Sequence, residues 1–338
     1  MPKRGGKMAF VATNDLSQIQ AVKLDESIIT LRGVSKQFRD EYAVRDVTFE
    51  VPKGSIFGFI GPSGSGKTTT VRLITGIYLP SEGEVKVMGR NPLEFSQTMR
   101  ENIGYMPQLF VLYPNLTVWE NLNFAASIYG MGFFRGKRLR KVLDFVELTE
   151  HRDKITRDTS GGMQRRLSLA ATLVHDPDLI FLDEPTAGID PVLRRKFWDH
   201  FKELQKQGNT LFITTQYVNE ATFCDWVGVM ANGKLLVVDT PDGLRHRAFG
   251  GEVVNLQTSA PLDYRAEQEL YDLQFVRGQI TRTGPASYHI VVDEASTAMP
   301  ALMEWTKEKD ITIEAIEEFL PPFDDVFVEL IKDETNAP

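Results

Sequence analysis

An α/β domain on a parallel sheet, with a helical insertion and a smaller α+β domain after it, is the fold this sequence predicts. Three observations predict it. The short apolar run Ile56 to Ile60 breaks directly into Gly61-Pro62-Ser63-Gly64-Ser65-Gly66-Lys67-Thr68-Thr69, a strand followed by a glycine-rich turn and a helix start. A second apolar run, Leu179 to Leu182, ends in the paired carboxylates Asp183 and Glu184; an uninterrupted apolar run marks a strand buried on both faces. From Glu252 onward the pattern becomes strand, helix, strand, strand, helix, strand, the order of a split βαβ domain.

Gly61, four residues, then Gly66-Lys67-Thr68 is the spacing of a phosphate-binding loop. Its glycines let the backbone turn its N–H groups inward around an anion, and a side chain at Gly64 or Gly66 is expected to block that approach. The helix starting near Lys67 adds unpaired N–H groups and a positive dipole end. Lys67 is expected to reach the β- and γ-phosphates of a nucleotide, and Thr68 to offer its hydroxyl to Mg²⁺. The bland alternative is a turn that binds nothing. The strand before it and the amphipathic Val71-Arg72-Leu73-Ile74 after it favour the nucleotide.

At 338 residues the chain is long for one core, so two domains are expected. Apolar content of 42% and charged content of 25% are those of an ordinary folded protein. The net charge of −8 argues against nucleic acid as a partner. A single cysteine, Cys224, excludes an internal disulfide framework and fits a reducing compartment. No apolar run approaches the roughly 18–20 residues that span a bilayer. The basic start, Met1 to Lys7, is not followed by an apolar stretch of signal-peptide length. Residues 1–26 are expected to be a flexible extension, and any membrane spans must come from another chain.

Along the chain, Ile28 to Leu31, Val34 to Phe38 and Val44 to Val51 read as strands, with Pro52-Lys53-Gly54 turning into the strand before the phosphate loop. Phe38 stands on a polar stretch, where an aromatic ring either stacks on a nucleotide base or half-buries in its sheet. A helix is expected over 67–77, a turn at Pro80 to Glu84 and a strand over Val85 to Met88, and residues 103–108 read as a strand ending in a loop at Pro107, with Gln108 after the strand. Between about 109 and 177 helical signals take over: Leu122, Ala125, Ala126 and Tyr129 share one face, as do Leu139, Val142, Leu143 and Val146. Ser160-Gly161-Gly162-Met163-Gln164 then opens an apolar-striped helix. It is either a plain N-cap or a second anion site on a positive helix end, suited to a nucleotide held by another molecule. Asp183 and Glu184 stand at the C-terminal edge of their strand, where open α/β sheets place ligands. Asp183 is placed to hold Mg²⁺, and Glu184 to orient or deprotonate a water attacking the γ-phosphate. A turn at Ala187 to Pro191, a helix over 192–207 and a strand over Thr210 to Thr215 follow, and then a hairpin turning at Asn232-Gly233.

Taken together, these motifs resemble the ATP-binding cassette (ABC) ATPases of transporters over roughly residues 28–245, and their order makes the likeness specific. The resemblance implies a P-loop NTPase with ATP and Mg²⁺ as its ligands. It makes Phe38 the adenine-stacking aromatic and Gln108 the residue that senses Mg²⁺ and the attacking water while its loop contacts the membrane partner. It makes Ser160, Gly161 and Gly162, with Gln164, the signature that binds the γ-phosphate of ATP held by the opposite subunit. Asp190 becomes the aspartate coupling the two sites. The implied assembly is a head-to-tail homodimer, peripheral on the cytoplasmic face of the membrane, driving integral-membrane permease chains through the Gln108 loop and the helical subdomain. Two positions depart from the family pattern. Thr159 replaces a usual leucine, and Gln216 replaces the switch histidine, which weakens transition-state stabilisation there. Thr214 to Ala221 and Leu112 to Leu122 resemble the drug- and polyketide-exporter branch.

The expected division is residues 27–245 for the nucleotide-binding domain and 250–338 for an accessory domain with a ferredoxin-like βαββαβ order, serving dimerisation or regulation. The last segment, Phe323 to Leu330, resembles the ending of exporter-type ATPases. An importer ATPase with a regulatory C-terminal domain is the alternative, and a non-transport cassette acting on ribosomes or DNA is a further one. A GTPase is disfavoured because no Asn-Lys-x-Asp motif occurs.

Overall fold

The computed structural model describes residues 27–109 and 111–336, so the extension expected over 1–26 lies outside the described residues. The chain divides into two compact units, the first reaching Val238 and the second beginning at Asp239.

The first unit opens with the long strands β1 (Ser27–Phe38) and β2 (Glu41–Pro52), then β3 (Ile56–Ile60), helix α1 (Lys67–Ile74) and β4 (Glu82–Val87). Strands β2, β1 and β4 form an antiparallel sheet in that order. After the short helix α2 (Gln97–Glu101) and β5 (Ile103–Met106) come three helices, α3 (Val118–Ile128), α4 (Gly136–Phe145) and α5 (Gly161–Leu173). Strand β6 (Leu179–Asp183), helix α6 (Pro191–Lys206), β7 (Thr210–Thr215), β8 (Trp226–Ala231) and β9 (Lys234–Asp239) complete it. A six-stranded sheet runs β5-β6-β7-β3-β8-β9. Strands β5, β6, β7, β3 and β8 pair in parallel.

Strand β3 lies between β7 and β8, and every one of its residues is buried. That explains its unbroken apolar sequence, since both faces are covered. Four phenylalanines join the two sheets: Phe49 of β2 stacks on Phe57 of β3 at 5.3 Å, and Phe57 stacks on Phe212 of β7 at 5.4 Å with the rings 6° from parallel. Phe59 lies 5.5 Å from both Phe49 and Phe212.

The helical insertion is organised as its periodicity requires. Leu122 and Ala126 of α3 and Leu139, Val142 and Leu143 of α4 are buried, and α5 packs against both helices. Thr117 and Glu120 form a capping box that starts α3. Buried Asn121 ties down the preceding loop, accepting from Tyr113 N at 2.8 Å and donating to Thr156 Oγ1 at 2.9 Å.

Several boundaries differ from the sequence expectation, and two of them have a clear local reason. Helix α1 stops at Ile74 rather than 77 because Gly76, at φ 73°, closes it with a Schellman motif: Gly76 N–H donates to Leu73 O and Ile77 N–H to Arg72 O. Strand β4 begins at Glu82 rather than Val85, since Glu82 pairs with Ser35 of β1. A Cβ at Gly83 would lie 2.3 Å from Gly33 O, so only glycine permits that approach. The Asn232-Gly233 turn has positive φ at both positions, 49° and 79°, as a primed hairpin turn requires.

The second unit holds α7 (Pro241–Phe249), β10 (Glu252–Thr258), α8 (Tyr264–Tyr271), β11 (Val276–Arg282), β12 (Ser287–Val292), α9 (Ala295–Glu308), β13 (Ile313–Phe319) and α10 (Phe323–Asn336). Its sheet runs β11-β12-β10-β13 with every neighbour antiparallel. The two central strands are the first and third of the βαββαβ run, which is the interleaving of a split βαβ unit. Helix α7 was not anticipated. It packs against α10, where Arg245 lies over the Phe323 ring at 4.5 Å.

Phe212→Ala removes the ring shared by both sheets and is expected to cost about 3–5 kcal/mol. The check is a urea unfolding midpoint, with the conservative Phe212→Leu falling between the two.

Candidate active site

The sharp turn after β3 is set by contacts of its backbone. A Cβ at Gly61 would sit 2.1 Å from Met230 O, and one at Gly66 would sit 2.5 Å from Ala43 O. Gly64 and Gly66 have φ of 80° and 103°, conformations that side chains with a Cβ rarely adopt. A Cβ at Gly64 would meet nothing within 4 Å, so its requirement is conformational. Gly66 is also the N-cap of α1 and provides no side-chain cap. The first N–H groups of α1 therefore have no side-chain acceptor, the arrangement that suits an anion.

Lys67 is 4% exposed, and its Nζ donates to Gly61 O at 2.8 Å and Pro62 O at 2.9 Å, with Glu184 Oε1 4.0 Å away. Burial pushes its pKa below the ordinary lysine range, while the charges of Glu184 and Asp183 pull it back up. Thr68 donates from Oγ1 to Asp183 Oδ1 at 3.2 Å, and Thr214 donates to the same oxygen at 2.5 Å. Asp183 is fully buried, and its Oδ2 has no hydrogen-bond partner. Such an orphaned carboxylate oxygen beside a threonine hydroxyl fits a hard divalent cation, which takes oxygen ligands. Among the described residues no group of three or more His, Cys, Asp or Glu gathers to hold a metal. One carboxylate and one hydroxyl match the way Mg²⁺ is usually held together with substrate phosphates.

Glu184 adopts φ 52°, a left-handed conformation that costs of order 1–3 kcal/mol in a residue bearing a Cβ. Its N–H, bonded to both Thr214 O and Thr214 Oγ1 at 3.0 Å, holds it there. Its carboxylate accepts from Gln108 Nε2 at 3.0 Å. Lys67, Thr68, Gln108, Asp183 and Glu184 therefore converge, although they come from three separate stretches of sequence.

Sequence reasoning missed three contributors. Thr214 links the two carboxylate residues, and the sequence marked it only as the start of the exporter-like stretch Thr214 to Ala221 at the end of a buried strand, without a role in the site. Arg165 is 7% exposed and reaches from α5 to Gln108 O at 3.2 Å and Ala187 O at 3.3 Å. Burial lowers its pKa, with Glu184 and Asp183 opposing. Glu220 is buried, accepts from Thr186 Oγ1 at 2.7 Å and lies 3.8 Å from Arg194 Nε. Arg194 in turn covers the Tyr217 ring at 4.1 Å and donates to Ile189 O at 3.4 Å. This network connects the residues following Gln216 to those preceding Asp190.

The other candidates occupy separate positions. Ser160 caps α5, its Oγ accepting from Met163 N at 3.3 Å, and Gly161 and Gly162 face open space. Among the described residues no hydrogen bond or ion pair joins Ser160, Gly161 or Gly162 to the loop over 61–69. Gln164 donates to Thr156 O and Thr159 O. Asp190 caps α6, accepting from Leu193 N at 2.9 Å, and is exposed, as is Gln216 after β7. Phe38 is 43% exposed and meets Tyr78 edge-on at 5.3 Å, with Lys36 Nζ 5.2 Å from its ring. A groove of about 450 Å³ in the second unit is lined partly by Asp263, Arg265, Glu269 and Lys309. There Arg265 and Lys309 both pair with Glu269, and no reactive group gathers.

Residues 44–187 match the family described as ABC transporter. The Nod factor export ATP-binding protein I of Burkholderia lata is 35% identical over 241 residues, covering 71% of this chain and 79% of that protein. The chain belongs to the ABC transporter family of ATP-binding proteins. This cassette is also 35% identical to the linearmycin resistance ATP-binding protein LnrL of Bacillus subtilis, over 69% of its own length and 75% of that protein. With the probable multidrug ABC transporter ATP-binding protein YbhF of Escherichia coli (strain K12) it shares 38% identity over 67% of its length, but spans only 39% of that relative. Among solved structures, the cassette superimposes on an ATP-binding subunit of an ABC transporter with a TM-score of 0.61 at 27% identity, covering 66% of this chain and 94% of the other. A dimeric post-hydrolysis cassette bound to ADP and Pi gives 0.59 at 27% identity, covering 63% and 98%.

Arg165→Met is expected to release the Gln108 and Ala187 carbonyls together, at a cost of about 1–3 kcal/mol. A lower urea midpoint and faster proteolysis within 107–113 are the expected readouts; no change in either would show that Arg165 does not hold these loops.

Proposed function

We propose that this cassette is the ATP-binding and ATP-hydrolysing subunit of an exporter, acting as a homodimer on separate membrane-spanning chains. The observation that carries the proposal is the convergence of Lys67, Thr68, Gln108, Asp183 and Glu184 beside a glycine-rich loop at a helix start. Relatives named for Nod factor export, linearmycin resistance and multidrug transport support the exporter class. Among the described residues no helix is long and apolar enough to cross a membrane. The spans are therefore assigned to partner chains, with the cassette peripheral on the inner face.

In this reading the backbone N–H groups of Gly61 to Thr69 and the Lys67 ammonium bind the phosphates of ATP, and Phe38 stacks on the adenine. Asp183 and Thr68, joined by Gln108, would hold Mg²⁺, which when bound neutralises phosphate charge. Glu184 takes the proton of the attacking water, and Gln108 orients its carboxylate. Preorganisation matters here because the strained Glu184 backbone is already locked by Thr214, so no reorganisation accompanies the reaction. Ser160, Gly161, Gly162 and Gln164 serve the nucleotide of the second copy, which accounts for their distance from this chain's own loop. Asp190 lies on the same turn as Ile189, and the Arg194 and Tyr217 contacts connect that turn with Gln216. Gln216 donates a hydrogen bond toward the γ-phosphate without carrying charge. The Gln108 loop and the helical insertion receive the membrane partner, and ATP-dependent closure of the dimer drives that partner between two states.

Glu184→Gln keeps the Gln108 contact possible but removes the base. It is expected to bind ATP normally and to accumulate as an ATP-bound dimer, seen by light scattering after gel filtration; rapid hydrolysis by this variant would remove Glu184 as the base. Gln216→His is expected to preserve or raise turnover by up to about tenfold, a fraction of what a whole oxyanion donor contributes. Steady-state phosphate release measures it, and a severe loss would mean that the site is built around glutamine.

A further inference from the structure

The chain carries a net charge of −8, yet between Glu120 and Asp144 it has no acidic residue and five basic ones, Arg135, Lys137, Arg138, Arg140 and Lys141. Two of these are engaged internally. Arg135 donates to Asn123, Ser127 and Met131, and Arg138 to Leu173 O, Val174 O and Asp176. Lys137, Arg140 and Lys141 are exposed on α4 and make no ion pair among the described residues. The same helix buries Leu139, Val142 and Leu143 on its opposite side, so its outward face is basic over Lys137 to Lys141, with one carboxylate, Asp144, at its C-terminal end.

Immediately before α4, the connection from α3 presents Phe133 and Phe134 at 101% and 102% exposure, as open as free side chains. Gly130 at φ 69° and Gly132 flank this turn, and a Cβ at either would meet nothing within 4 Å. The two rings therefore stand on a protruding tip that the rest of the unit does not cover. A single exposed apolar residue needs no explanation, but two adjacent phenylalanines with no intramolecular contact area do. The tip is convex, which suits insertion into a deformable phase rather than filling by a side chain from a rigid partner. Aromatic rings next to a face with three exposed cations, whose one carboxylate, Asp144, lies at the far end of the helix and accepts from Thr149, form the pairing that binds an anionic bilayer surface. The rings enter the headgroup boundary while lysine and arginine face lipid phosphates.

We propose that the Phe133-Phe134 tip and the Lys137, Arg140 and Lys141 face of α4 form a docking surface for an anionic lipid bilayer. The cassette thereby touches the membrane directly as well as through its partner chains. This goes beyond the subunit assignment and does not depend on ATP hydrolysis.

The test is flotation of the purified full-length chain with vesicles of phosphatidylglycerol and phosphatidylcholine in equal parts, set against vesicles of phosphatidylcholine alone. The chain is expected to float with the anionic vesicles only, and less so at high salt. F133S/F134S is expected to lower the bound fraction by about tenfold or more, since each buried ring contributes substantially to interfacial binding. K137Q/R140Q/K141Q is expected to reduce binding toward that on phosphatidylcholine. Circular dichroism confirms folding of both variants, whose changed residues are exposed. K3S/R4S/K7S, which removes the charges of the basic start, is expected to bind as the native chain does. Native-like flotation of F133S/F134S, or loss of flotation in K3S/R4S/K7S, would overturn the proposal. So would failure of the native chain to float while F133S/F134S blocks co-purification with a membrane-spanning protein, since the tip would then be a protein-docking element.

Discussion

Parallel pairing of β6, β7 and β3 is the constraint on which the site depends. Asp183 pairs with Thr214 and Ile60 with Thr215, so the loop after β3 and the two carboxylates at the end of β6 lie at the same edge of the sheet. Parallel strands all point the same way, and side chains beyond their C-terminal ends can therefore meet however far apart they lie in sequence. Thr214 completes the arrangement by bonding both to the Asp183 carboxylate and to the Glu184 N–H. A register slip of one residue would turn that hydroxyl to the opposite face.

The stability of this edge comes from the apolar layer beneath it. Strands β3, β6 and β7 are buried along their whole lengths, and the stack of Phe49, Phe57, Phe59 and Phe212 joins the parallel sheet to the antiparallel one. Rigid packing below is what allows the polar groups above it to be held in unfavourable states. Lys67 is desolvated, Asp183 keeps an oxygen without a partner, and Glu184 sits at positive φ. Each would relax in a looser framework. Their concentration within one small region is the physical signature of a site organised for a charged ligand.

The helical insertion meets this region through Arg165. Its guanidinium reaches two backbone carbonyls, one in the Gln108 loop and one in the turn before Asp190. A planar group with several donors suits bonds in more than one direction, which a lysine ammonium would satisfy less rigidly. Displacement of α5 would therefore be felt at Gln108 and at the Ala187 turn together. The Glu220, Arg194 and Tyr217 contacts form a second connection, between the end of β7 and the start of α6. The loops around the candidate site are thus joined by side-chain bonds as well as by the sheet.

Much of this architecture is legible in the sequence because its signals are local. Strand β3, strand β7, the Asn232-Gly233 turn and the apolar faces of α3 and α4 follow from hydrophobic period and turn chemistry over a few residues. The phosphate loop is equally readable, since its glycines, Lys67 and Thr68 lie within one contiguous turn. The order βαββαβ was visible too, but not α7, whose amphipathic pattern is weak. What the tertiary structure alone decided is which distant groups meet. The family resemblance set Gln108 and Glu184 about the same water, but no local pattern ties Gln108 to Glu184, Thr214 to Asp183 or Arg165 to Ala187, because these contacts arise from strand order and helix packing. Even the glycine requirement divides this way: a positive φ at Gly64 belongs to the turn itself, whereas the need for glycine at Gly61 comes from Met230, brought there only by the pairing of β3 with β8.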